Sequence, residues 1–188
     1  GGVAANRALR VALQDVATRS VELRAVLSAY RHVREYPWSA EHPAVAHAWS
    51  RPGRVGLLVA CKGAPETVAD LCGLPAERRA AVLSEVDAMA RRGLRVLAAA
   101  SLDADRESGE SGLPASIRDF RFRWLGLVGF ADPLRAGVAD AVVEAHAAGI
   151  RLIMLTGDHL ETARAIALQA GLAAQSEVAL GRELDELD

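Results

Sequence analysis

The sequence predicts an α/β protein, and three observations predict it. Residues 44 to 61 place a strand-like alternating run, AVAHAW, and a fully apolar run, VGLLVAC, on either side of a Pro-Gly turn, as a hairpin does. Helical patterns closed by glycine recur at Gly73, Gly93, Gly149 and Gly171. Beyond Asp132-Pro133, helix, strand, turn and helix follow at the spacing of a parallel α/β layer.

The elements can be justified in order. Leu9, Leu13, Val16, Leu23, Val26 and Leu27 recur with helical periodicity, so the segment from Asn6 through RHV, residues 6 to 33, reads as one or two amphipathic helices. EYPWSAEHP is irregular, because Pro37 and Pro43 break any regular element. AVAHAW and VGLLVAC form the predicted hairpin across RPGR. KGAPETVADLCG places Pro65 at a helix start and Gly73 at its end. ERRAAVLSEVDAMARRG puts Val82, Leu83, Val86 and Met89 on one helix face. LRVLAAAS is a strand, residues 103 to 116 are a Gly/Ser-rich loop, and FRFRWLGLVGF is a strand passing from surface to core. Next come helix RAGVADAVVEAHAA, strand IRLIML, turn TGDH, helix LETARAIALQA and a short strand near EVALG.

Composition removes several functions. A net charge of −2 leaves no basic footprint for nucleic acid or an acidic membrane surface. No apolar run approaches the roughly 20 residues that cross a bilayer, so a soluble segment without direct membrane contact is expected. Cys61 and Cys72 sit in apolar patterns without metal-ligand spacing and read as buried free thiols. His32, His42, His47, His146 and His159 show no ligand spacing either, so no metal site is expected. Of 22 basic residues only Lys62 is a lysine, which marks a place for a compact point charge or a chance survivor of an arginine-rich composition.

Four places could carry chemistry. Thr156 and Asp158 lie in the turn after an apolar strand, where α/β sheets bind ligands and where the next helix directs free N–H groups. The same two residues would also serve as plain helix caps. Lys62 and Gly63 follow a buried strand and precede a Pro-led helix, a layout for reaching an anionic or π-rich ligand or for a solvated lysine. Trp38, in its Pro-flanked loop, is either a stacking platform or an anchor for the loop, and Arg95 at a strand start could reach a phosphate.

Together these pieces resemble the cytoplasmic part of P-type cation-transporting ATPases, in the calcium-pump-like branch. The resemblance rests on YPWS, KGAPE, GLRVLA, DPLR, AGIRLIMLTGD, ETARAIA and GRELDEL, in that order and over nearly the whole chain. It implies a nucleotide-binding domain at 1–129, α+β and N-terminally incomplete, and at 130–188 part of a phosphorylation domain with a Rossmann-like, haloacid-dehalogenase-type parallel sheet. It also implies ATP as ligand, with Mg2+ in the intact protein. The implied partners are the transmembrane and actuator domains of the same pump, at the cytoplasmic face of a membrane. Trp38 would stack on adenine, Lys62 and Gly63 would line its pocket, and Arg95 would reach the phosphates. Asp132 and Arg135 would form the interdomain hinge. Thr156 would contact the phosphoryl group, with Asp158 beside the nucleotide across the cleft.

The sequence departs from that family in specific ways. Asn6 stands where the branch has a glutamate near adenine, and Pro43 where it has a second lysine. No DKTGT segment with the nucleophilic aspartate, no second lysine and no GDGxND segment occurs in the 188 residues. The expectation is therefore a nucleotide-binding segment holding half an active site, inactive alone. Two other readings stand beside it: a degenerate regulatory or interaction module derived from a pump, and a haloacid-dehalogenase-like phosphatase. The phosphatase needs an N-terminal DxD-type strand, and this chain opens with a helical pattern.

Overall fold

In the computed structural model, residues 29–104 and 113–172 are described. Five strands form one antiparallel sheet in simple sequence order: β1 (Arg31–Tyr36), β2 (Ala44–Ser50), β3 (Leu57–Gly63), β4 (Leu94–Ala104) and β5 (Arg123–Ala131). Between β3 and β4 lie helices α1 (Pro65–Leu71) and α2 (Ala76–Ala90). After β5 come α3 (Val138–Ala147) and α4 (Leu160–Gln169). The class is mixed α/β, as the sequence predicts.

The hairpin forms as expected, with Ala46 opposite Cys61 and Ala48 opposite Val59. Along β3 burial alternates strictly, so Leu57, Val59, Cys61 and Gly63 face inward while Lys62 faces the other way. The inward face is lined by small residues, Ala46, Ala48, Ala98 and Ala100, which let Val68 and Leu71 of α1 approach closely. Tyr36, Phe120 and Phe122 fill the remaining core; Tyr36 and Phe120 meet edge to face at 5.2 Å. The Tyr36 hydroxyl donates to the Pro114 carbonyl at 2.8 Å, tying the segment before β5 back onto β1.

Three expectations need correction. Residues 31 to 33 continue no helix; they open β1, because pairing with β2 satisfies their backbone groups better than local periodicity can. The strand reading of FRFRWLGLVGF begins too early: Phe120 and Phe122 are core residues around a short 3-10 turn, Ile117–Asp119, and pairing starts at Arg123. Residues 151–157 form no regular element, and no parallel pairing occurs among the described residues. A strand needs a neighbour for its N–H and C=O groups. Without one, Ile153 and Leu155 stand 73% and 86% exposed. The helices expected in residues 1 to 28, the middle of the 103–116 loop and the strand near EVALG lie outside the described residues.

Gly63 is required by a close approach. A Cβ there would sit 2.5 Å from the Pro43 carbonyl oxygen and 2.6 Å from the Ala44 Cα, both backbone atoms. Gly63→Ala is expected to cost about 2 kcal/mol, by the magnitude typical of overpacking. Urea unfolding of the two proteins measures it, and a change below about 0.5 kcal/mol would contradict the strain. Burial pushes the Cys61 thiol up to about 12, with Cys72 adding to it, and raises Cys72 to about 11. Both are therefore expected to resist iodoacetamide at pH 8 in the folded chain and to react readily in urea, as mass spectrometry would report.

Candidate functional site

The carboxyl end of β3, the first residues of β4 and the last of β5 open into one cleft of about 520 Å³. Trp38, Pro43 and Ala64 to Glu66 line one side; Arg95 to Leu97 and Phe130 to Asp132 line the floor. Gly157, Asp158, His159 and Thr162 close it from the α4 end. Trp38 is 52% exposed at this cleft, so its indole face is open to a ligand.

Two contacts hold α4 and the preceding turn to the sheet, and they come from adjacent residues of β4. The Arg95 Nε donates to the Asp158 carboxylate at 2.8 Å. Its side chain and that of Asp158 are 30% and 20% exposed, so the pair is partly desolvated. Thr162, 1% exposed, donates its hydroxyl to the Leu94 carbonyl at 2.9 Å. The buried hydroxyl is thus satisfied, and so is a strand-end carbonyl.

The turn itself is internally braced. The Asp158 backbone N–H donates to the Thr156 hydroxyl at 3.1 Å. The helix cap is neither of these residues: the His159 Nδ1 accepts from the Glu161 N–H at 3.3 Å. His159 Nε2 lies 3.6 Å from Asp87 on α2, a second tie between the helices. Asp158 is therefore spent on Arg95 and not on capping.

The sequence-predicted residues divide accordingly. Trp38, Arg95, Asp132 and Asp158 come together at the cleft. Gly63 adjoins its wall through Ala64, whose N–H donates to the Pro43 carbonyl at 2.8 Å. Thr156 acts on Asp158 from outside the lining, and Arg135 is not among the lining residues. Lys62 is also absent from the lining, since strand alternation sends its side chain to the other face, where it pairs across Val45 and Ala99. Burial lowers the Lys62 ammonium below its ordinary value. Asn6 lies outside the described residues.

Sequence reasoning missed Thr162, Glu66 and Phe130. Thr162 left a faint signal, a hydroxyl in the first turn of a predicted helix, whereas Glu66 and Phe130 reach the cleft only through the fold.

The Arg95–Asp158 pair should carry measurable coupling. A double-mutant cycle with Arg95→Ala and Asp158→Ala, read by urea unfolding, is expected to give about 0.5–1 kcal/mol, less in 1 M salt. Strictly additive single effects would show that the two side chains do not act on each other.

The chain matches the haloacid dehalogenase-like hydrolase family over residues 18–187. It is 35% identical over 154 residues to the sodium/potassium exporting P-type ATPase cta3 of Schizosaccharomyces pombe, covering 78% of this chain and 15% of that one. It is 37% identical over 163 residues to the probable cation-transporting ATPase F of Mycobacterium tuberculosis, covering 81% and 17%. With the endoplasmic reticulum calcium ATPase srcA of Aspergillus fumigatus it shares 32% identity over 210 residues, 95% and 22% of the two chains. It thus spans roughly a sixth to a fifth of the length of these relatives. No helix among the described residues is long and apolar enough to cross a membrane. The chain belongs to the haloacid dehalogenase-like hydrolase family, and the relatives it resembles there are P-type cation-transporting ATPases.

Proposed function

We propose that this chain is the ATP-binding segment of a cation pump, with residues 1–129 handling nucleotide and 130–188 belonging to the phosphorylation domain. The observation that carries the reading is the 2.8 Å contact between Arg95 and Asp158, which joins the arginine strand to the Thr-Gly-Asp turn at a cleft with an open indole. Adenine stacks on Trp38, a contact that tolerates any base but is strong for a purine. The phosphates lie toward Arg95, whose Nη groups are outside the Asp158 contact, and toward the N–H groups at the start of α4. Asp132, at the end of β5, and Arg135 form the hinge between the two parts.

The cleft lining holds Glu66, Asp132 and Asp158 against one arginine, an adverse balance for a polyanion. Asp132, which makes no ion pair among the described residues, supplies a hard oxygen that suits Mg2+, an ion that takes one or two carboxylates alongside phosphate oxygens. When bound, Mg2+ supplies neutralisation of the phosphate charge. Phosphoryl transfer needs a nucleophilic aspartate from a DKTGT segment, which these 188 residues lack, so binding without hydrolysis is the expected behaviour. In the whole pump the segment works with transmembrane and actuator domains, at the cytoplasmic face of the membrane.

A second reading is favoured by the same balance of charge. Pro43 lines the cleft where the calcium-pump branch has a lysine, so a pump-derived regulatory module with little nucleotide affinity is the alternative. Titration with MgATP and MgGTP, followed by tryptophan fluorescence, separates the two. Saturable binding weakened about tenfold or more by Trp38→Ala and by Arg95→Ala is expected, since each removes a contact of one to three kcal/mol. Trp49 and Trp124 also emit, so the Trp38 variant assigns the signal. Lys62→Ala tests whether the outward-facing lysine contributes at all. A flat titration to millimolar nucleotide, with the fold intact by circular dichroism, would give the regulatory module the lead.

A further inference from the structure

The outer face of the sheet carries a side-chain cluster that the cleft does not use. His32 and Glu35 of β1 and His47 of β2 each offer one ligand atom, and these atoms lie within 4.8 Å of one another. In a regular strand, residues three apart point to opposite faces. Here the β1–β2 register shifts between His32 and Arg34: His32 pairs with Trp49, Arg34 with Ala48 and Glu35 with His47. Val33 is the extra residue of a β-bulge, and the bulge swings His32 onto the face that Glu35, His47 and Trp49 share. Val33 itself packs against the core.

We propose that His32, Glu35 and His47 form a binding site for a zinc-class divalent cation, with a remaining position open to water. His32 Nε2 and His47 Nδ1 are 3.3 Å apart. Two nitrogens bound at about 2.05 Å to one tetrahedral zinc ion stand about 3.3 Å from each other, so the rings are already spaced for it. Glu35 is exposed and closes the set by rotating its side chain. Two imidazoles and a carboxylate are the donor set of open zinc sites, and imidazole also suits nickel and copper. Trp49 holds both rings by its edge and face, at 5.0 Å from His32 and 6.0 Å from His47. Lys62, on the same face, is the one ammonium set against the ion, and Glu35 offsets it. Without a metal, the same 3.3 Å separation is a hydrogen bond between the two rings, and that is the competing account.

Calorimetric titration of the full 188-residue chain with Zn2+ tests the site, together with quenching of Trp49 fluorescence by Ni2+. One equivalent is expected to bind, at least about a hundredfold more weakly in His32→Gln and in His47→Gln, and less severely so in Glu35→Gln. His42→Gln and His146→Gln should leave affinity unchanged. His32 and Glu35 are exposed, so their variants keep the fold even if the half-buried His47 variant does not. Zn2+ should also raise the unfolding midpoint, a shift that His32→Gln abolishes and a ring–ring hydrogen bond alone would not produce. Absence of a one-equivalent isotherm, or one that His32→Gln leaves intact, overturns the proposal. Neither result bears on the nucleotide cleft, which contains none of the three residues.

Discussion

The α4 side of the cleft depends on the first two residues of β4. Leu94 offers its carbonyl to Thr162 and Arg95 its guanidinium to Asp158, so one short stretch of strand holds both α4 and the turn before it. The two bonds differ in kind. The Thr162 contact is buried, and breaking it strands a hydroxyl and a carbonyl away from water. The Arg95 contact is partly wet and is weakened by salt. The segment is thus held by one buried tie and one partly wet one.

The sheet makes this possible through strict alternation. Successive residues of β3 send Cys61 into the core, Lys62 to the outer face and Gly63 against the backbone of β2. A single strand end therefore serves three surfaces. Its inner face packs α1, its outer face borders the histidine cluster, and its terminus forms the cleft wall through Ala64 and Pro65. Burial outweighs Glu35 in lowering the His47 imidazole, and His32 and Lys62 push the same way.

Most elements were legible because the signals were local. The hairpin followed from alternation around RPGR, and helix ends followed from glycines that the structure holds at positive φ: Gly73, Gly93, Gly149 and Gly171. Trp38, Arg95, Asp132 and Asp158 were legible from their local settings only as separate candidates, and it was the resemblance, not spacing, that set them around one cleft. What failed was non-local. RHV fitted the end of a helical period and EY the start of an irregular loop, and both became part of β1 only because β2 lay beside them. IRLIML has the composition of a buried strand and stays without a ladder, since composition does not supply the partner. The histidines looked unrelated at a spacing of 15 because the bulge that joins them has no sequence mark of its own.

The exposed run from Ile150 to Leu155 bears on how the turn after it is held. Ile150, Ile153 and Leu155 are apolar and open, directly before the turn that presents Asp158. A strand that gains a neighbour is straightened and loses freedom, and the residues just beyond its end inherit that order. Pairing at 150–155 would thus act on Thr156 and Asp158 through the backbone, while Arg95 acts on Asp158 from the sheet. Asp158 sits where these two influences meet. Its charge is satisfied by β4, and its backbone is tethered to Thr156. The position of Asp158 is therefore set from the sheet by Arg95 and from its own backbone by Thr156.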